Sequence, residues 1–194
     1  MNIMIRINKI AKELESAVLD LGADKAKIIP IEKVELDRSF RAMCESNACG
    51  VYGKCHTCPP DVGDIDELMA EVRKYKFALV YQRVSELEDS YDFEGMFEAK
   101  RSFRPISQNL REIFRAKGIN NALHLSVGGC GICPICAKRI DSPCRFPDKA
   151  MASLEAYGVN VSRLAAASGM KYINGQNTVT YFGAVFFTPE NGNE

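Results

Sequence analysis

Eight cysteines are the residues of this 194-residue chain best placed to do chemistry, and they fall into two tight groups. The first is Cys44, Cys49, Cys55 and Cys58; the second is Cys130, Cys133, Cys136 and Cys144. Residues 59–129 hold none. Both groups sit among Gly, Pro, Asn and Ser, which is loop composition. In a reducing cytoplasm such a set points to metal or redox chemistry and not to disulfides.

The second group is the more diagnostic. Cys130, Cys133 and Cys136 form a C-x2-C-x2-C run, and Cys144 follows after a seven-residue spacer. Three thiolates at this spacing reach three different irons of a cubane, and a fourth closes the site. Gly128, Gly129 and Gly131 let the backbone come close to inorganic sulfide. Zinc ribbons use two C-x2-C pairs held apart by a longer spacer, so iron–sulfur is favoured over zinc here. The first group, C-x4-C-x5-C-x2-C followed by Pro59, can hold a cluster or a structural zinc through Cys44, Cys49, Cys55 and Cys58. The cluster-like second group favours a cluster in the first as well. His56, inside a complete cysteine set, reads as a neighbour of the site. His124, in a predicted strand, reads as a satisfied core histidine.

Composition narrows the function classes. There are 25 basic and 25 acidic residues, a balance without the positive footprint of a nucleic-acid binder. The basic stretch at Lys100, Arg101 and Arg104 reads as a solvated helix face. Met1 to Lys12 lacks the apolar core and cleavage site of an export signal. No run of about 18 apolar residues suggests a membrane span. The expectation is a cytoplasmic protein with neither membrane nor nucleic-acid partners.

The elements that must position the cysteines read as α/β. Helices are expected at Asn8–Leu21, from Asp64 through Ile65, Leu68, Met69 and Val72, at Asp92–Lys117, at Asp148–Tyr157 and at Ser162–Ser168. Asp64 with Glu67 looks like a capping box, and Pro105 is expected to kink or divide the long helix. Strands are expected at Ala26–Ile31, Phe77–Val84, Ala122–Val127 and Thr178–Phe187. Alternation of strand and helix favours an open, mainly parallel sheet flanked by helices, with two Cys-rich metal-binding loops at 44–60 and 128–148. The unit from Phe77 to Val127 reads as a right-handed βαβ crossover. If the first and third strands run parallel, both loops leave one edge of the sheet and the metal sites lie close together. One domain is expected over residues 1–188, with a disordered tail at 189–194.

The stretch Cys44–Pro60, with Tyr52-Gly53-Lys54 and Cys58-Pro59-Pro60, resembles the DUF2284 family of predicted metal-binding proteins. So does Gly128-Gly129-Cys130 through Cys144-Arg145-Phe146-Pro147-Asp148-Lys149-Ala150-Met151 and on to Glu155-Ala156-Tyr157-Gly158. The resemblance runs from about Arg38 to Val161. It implies a small iron–sulfur protein of anaerobes, with no reaction firmly attached. In the family pattern an aromatic usually stands at the place of His56, and the place of Cys55 need not be a cysteine. That departure leaves open a three-cysteine cluster with an exchangeable iron.

The leading expectation is a protein with two 4Fe–4S clusters that relays single electrons to a redox partner protein, or serves a redox accessory role in anaerobic metabolism. Alternatives are a redox enzyme with substrate at an open cluster site and a zinc-stapled interaction protein. No Walker loop, no dinucleotide-binding fingerprint and no Ser-His-Asp set is present.

Overall fold

The computed structural model describes residues 3–189, with side chains from residue 9 onward. The tail expected at 189–194 falls, beyond Pro189, outside the described residues. Helix α1 (Ile3–Asp20) leads to β1 (Lys25–Pro30), α2 (Phe40–Glu45), α3 (Ile65–Arg73), β2 (Phe77–Glu86), α4 (Phe93–Ala116), β3 (Ala122–Leu125), α5 (Val161–Ala167) and β4 (Thr178–Phe187).

The four strands form one sheet in the order β1-β2-β4-β3, and every neighbouring pair is antiparallel. This corrects the expected open, mainly parallel sheet. β2 and β3 do point the same way, with α4 between them, but they never pair, because β4 lies in the gap. The cause is the apolar content of β4. Phe182 to Phe187 are all buried, and a strand covered on both faces belongs in the middle of a sheet. Its ten-residue ladder with β2 runs from Phe77 opposite Phe187 to Glu86 opposite Thr178.

Each sheet face carries its own core. Leu79, Tyr81, Val185 and Phe187 pack under α1 and α4, against Leu14, Val18, Phe103, Leu110 and Phe114. Ala78, Val80, Ala184 and Phe186 pack against α3, α5 and residues 152–161. Both faces are covered, so β2 and β4 read as continuous apolar runs instead of alternating ones.

Three local expectations need correction. α4 is continuous through Pro105, whose ring lies at an exposed position of the helix. Asp148–Tyr157 is not a helix. Ser126 donates its N–H to Ala152 O (2.9 Å) and accepts from Leu154 N (3.2 Å), so this segment is drawn out along the end of β3, leaving one 3-10 turn at Glu155–Tyr157. β1 and β3 are antiparallel, so their loops leave opposite ends of the sheet. The chain after β1 returns through a 3-10 turn at Ile31–Lys33, a bridge from Leu36 to Val159, and α2. Among the described residues no helix is long and apolar enough to cross a membrane.

Candidate metal centre

The first cysteine loop is built from its own backbone. Cys44 lies in the last turn of α2. Asn47 (φ 54°), Gly50 (φ 71°) and Gly53 (φ 66°) take left-handed conformations that fold the chain back on itself. Asn47 Oδ1 accepts the Tyr52 N–H (3.1 Å), Pro59 O accepts the Gly53 N–H (2.9 Å), and Lys54 Nζ donates to Gly50 O (3.0 Å). The turn from Cys55 to Cys58 is closed by the Cys58 N–H on Cys55 O (3.0 Å). Cys55 and Cys58 are buried, Cys44 is half-buried and Cys49 exposed. After the loop, Asp64 caps α3 by accepting from the Asp66 and Glu67 N–H groups, as the sequence suggested.

The second loop leaves β3 through Ser126. A buried chain of hydroxyls, Tyr81 to Ser107 (2.8 Å) and Ser107 to Ser126 (2.9 Å), ties that exit point to the sheet and to α4. Gly128 (φ 56°) and Gly131 (φ 61°) follow. A Cβ at Gly128 would strike Lys100 Nζ, and one at Gly131 would strike the Arg104 guanidinium, so α4 is clasped against a backbone that tolerates no side chain there. Arg104 donates to Gly131 O (3.2 Å), and Arg145 donates to Ile135 O (3.1 Å). Cys130, Cys133, Cys136 and Cys144 are all half-buried.

The two loops pack on each other. Gly129 lies against the Cys55–Cys58 turn, with its Cβ position 3.6 Å from Cys58 Sγ and 4.0 Å from Cys55 Sγ. Cys55 and Cys130 stand on the wall of one cavity. His56 Nε2 hydrogen-bonds Ser142 O (2.9 Å), and Lys138 pairs with Asp61 (2.6 Å). The predicted adjacency of the two groups is therefore present, although the route to it is not the predicted one. His124 is half-buried, edge-on to Phe114, and its Nδ1 has no partner among the described residues, so it is not the satisfied core histidine that the sequence suggested. Burial pushes its ring down to about 3, so it is neutral.

The sulfurs stand around two cavities. A cleft of about 680 Å³ has Cys44, Cys49, Cys55, Cys58, Cys133 and Cys136 on its walls. A narrower apolar cavity, about 30 Å³, is walled by Cys55, Cys130, Cys133, Cys136 and Cys144. That is the room of roughly one water molecule, so its walls must part to admit anything larger. Among the described residues, no three Cys, His, Asp or Glu side chains are drawn together around a single ion.

The charged side chains on the cleft wall itself are basic, and the Glu155 carboxylate lies near enough to Cys44 and Lys100 to act on both. Lys54, Lys100, Arg104 and Arg139 line the cleft, and no carboxylate does. Lys100 makes no ion pair among the described residues. Burial, and then Arg104 beside it, push its ammonium below the usual lysine range. Arg104 Nε is buried without a partner. The basic stretch read from sequence as a solvated face is thus split: Arg101 is exposed and paired with Glu98, while Lys100 and Arg104 turn inward. Their i, i+4 spacing was the signal that could have found them. Among the thiols, Cys58 donates to Cys55, and together with Thr57 this holds Cys55 down to about 4. Cys58, bound as the donor, is pushed far up, and burial raises Cys44 and Cys130.

This donor set fits a thiolate-ligated cluster. The sulfurs are soft ligands, Gly128 and Gly131 let the backbone come close, and the half-buried Lys100 and Arg104, in no ion pair among the described residues, line the cleft where negative charge would sit. Comparison with known proteins gives one match, to the family model described as predicted metal-binding protein (DUF2284), over residues 27–187. No curated protein and no solved structure matches.

Proposed function

The chain belongs to the DUF2284 family of predicted metal-binding proteins, and from that premise we propose that its eight cysteines hold two 4Fe–4S clusters that pass single electrons. The observation that carries this reading is the meeting of both cysteine loops under the unpaired cations of α4. Thiolate-bound clusters are net anionic, and burying cations is costly unless an anion is nearby. A cleft whose own wall carries four cations and no carboxylate suits such an anion.

The clusters would supply one-electron redox chemistry over a potential range set by charge, hydrogen bonds to sulfur and exposure. The chain's residues do the rest. Cys44, Cys49 and Cys58 border only the larger cleft and anchor the first centre. Cys130 and Cys144 border only the smaller cavity and anchor the second. Lys100 and Arg104 offset negative charge, and Ile132 and Phe146 keep water from the second cavity. Exposed Cys49 puts the first centre nearer to solvent and to a redox partner protein. We place this activity in the cytoplasm of an anaerobe, where thiols stay reduced.

A second reading has its own support. The cleft of about 680 Å³ falls within the size range of ligand pockets, which suits a redox enzyme with substrate at the first centre. Anaerobic purification with iron and acid-labile sulfide analysis tests both. About eight equivalents of each are expected for two cubanes. Stoichiometric zinc without sulfide would overturn them and leave a zinc-stapled interaction protein.

A further inference from the structure

The eight cysteines do not divide between the cavities as they divide along the chain. Cys44, Cys49 and Cys58 border the large cleft alone, and Cys130 and Cys144 border the small cavity alone. Cys55, Cys133 and Cys136 border both. Two four-thiolate centres then need one of these three shared cysteines for the first and two for the second.

Cys55 is placed with the second. It shares the wall of the small cavity with Cys130 and Cys144, and its neighbour His56 is tied to Ser142 O at 2.9 Å, two residues from Cys144. The Cys55–Cys58 turn thus has its two sulfurs on opposite duties: Cys58 lies with Cys44 and Cys49, while Cys55 is the one cysteine of the first loop on the small cavity. Gly129 packs against this turn at ordinary van der Waals distance from both sulfurs. Resting on the two-cluster reading above, we propose that the ligand sets are interlocked. Cys55 crosses over to the second centre with Cys130 and Cys144, and either Cys133 or Cys136 crosses back to complete the first.

The consequence is a shared wall. Each loop would carry ligands of both centres, so neither centre could assemble fully on its own loop. The two-residue link between Cys55 and Cys58 would join the two sets covalently, which suits electron passage between the centres.

Single variants with unambiguous ligands define each centre's signature. Cys44→Ala marks damage to the first centre and Cys144→Ala marks damage to the second, read as iron content and as EPR spectra of the reduced and oxidised protein. Cys55→Ala should give the Cys144→Ala signature, with iron falling from about eight to between about four and seven. The double variant Cys144→Ala/Cys55→Ala should still show the first centre's signal. Of Cys133→Ala and Cys136→Ala, one should resemble Cys44→Ala. Loss of the first centre's signal in either Cys55 variant, or wild-type iron and spectra in Cys55→Ala, overturns the interlocked sets. Wild-type protein without iron or sulfide would instead defeat the two-cluster reading itself.

Discussion

At the residue scale, Lys100 and Arg104 show how tertiary placement changes what a charge does. On an isolated helix both would be solvated. Packed on Gly128 and Gly131, they are half-buried and form no ion pair among the described residues, with Glu88, Asp92, Glu94 and Glu98 on the neighbouring pocket wall and Glu155 near Lys100. A cation in that position favours the more negative, reduced state of a nearby centre. Lys100→Met should therefore lower the potential of the first centre, by on the order of 50 mV, since a tenfold shift in a one-electron equilibrium is about 59 mV. The apolar stem is kept, so folding and iron content should stay near wild type. A redox titration that places both centres at the wild-type potential would show that Lys100 does not face the cluster. The half-buried, neutral His124 carries no charge to that site.

At the element scale, the exit of the second loop depends on a hydrogen-bond chain that crosses three elements. Tyr81 of β2, Ser107 of α4 and Ser126 beyond β3 are all buried and bonded in sequence. Gly183 of β4 makes room for the Tyr81 ring, because a Cβ at that position would overlap it. Gly183→Ala should push the ring aside and break the chain, destabilising the fold by about 1–3 kcal/mol in denaturant unfolding. Tyr81→Phe, which removes the hydroxyl but keeps the ring, should cost only about 1 kcal/mol. An alanine variant as stable as wild type would show that the packing around Tyr81 can relax. α4 serves both roles at once: Phe103, Leu110 and Phe114 face the core, while Lys100 and Arg104 face the loops.

At the scale of the whole molecule, the antiparallel sheet and its two cores stand apart from the cysteine loops. The strands and main helices bury their apolar faces without help from the cysteines. The loops are held mostly by backbone hydrogen bonds and by ligands they would share. Removing metal should leave the sheet folded and loosen the loops. Chelation under reducing conditions is expected to raise protease cleavage within residues 44–58 and 130–144 while the far-UV circular dichroism changes little. Equal resistance of both forms at those segments would contradict this division.

The sequence by itself determined the parts that local physics controls. Cysteine spacing, loop composition and glycine placement marked out both cysteine loops, and apolar periodicity located α1, α3, α4 and α5 and all four strands to within a few residues. The cap at Asp64 was legible for the same reason: it depends on a few neighbours along the chain. Strand order was not. β2, α4 and β3 look like a parallel crossover until the last strand is placed, and nothing in that local stretch says that β4 will insert between them. The segment after Asp148 looked helical because it lacks strong strand signals; its pairing to Ser126 is a tertiary contact. α2 is short enough to be missed by periodicity. Only the tertiary structure brought Lys100 and Arg104 inward and set Cys55 beside Cys130, because both follow from how α4 and the two loops pack, which no stretch of sequence contains.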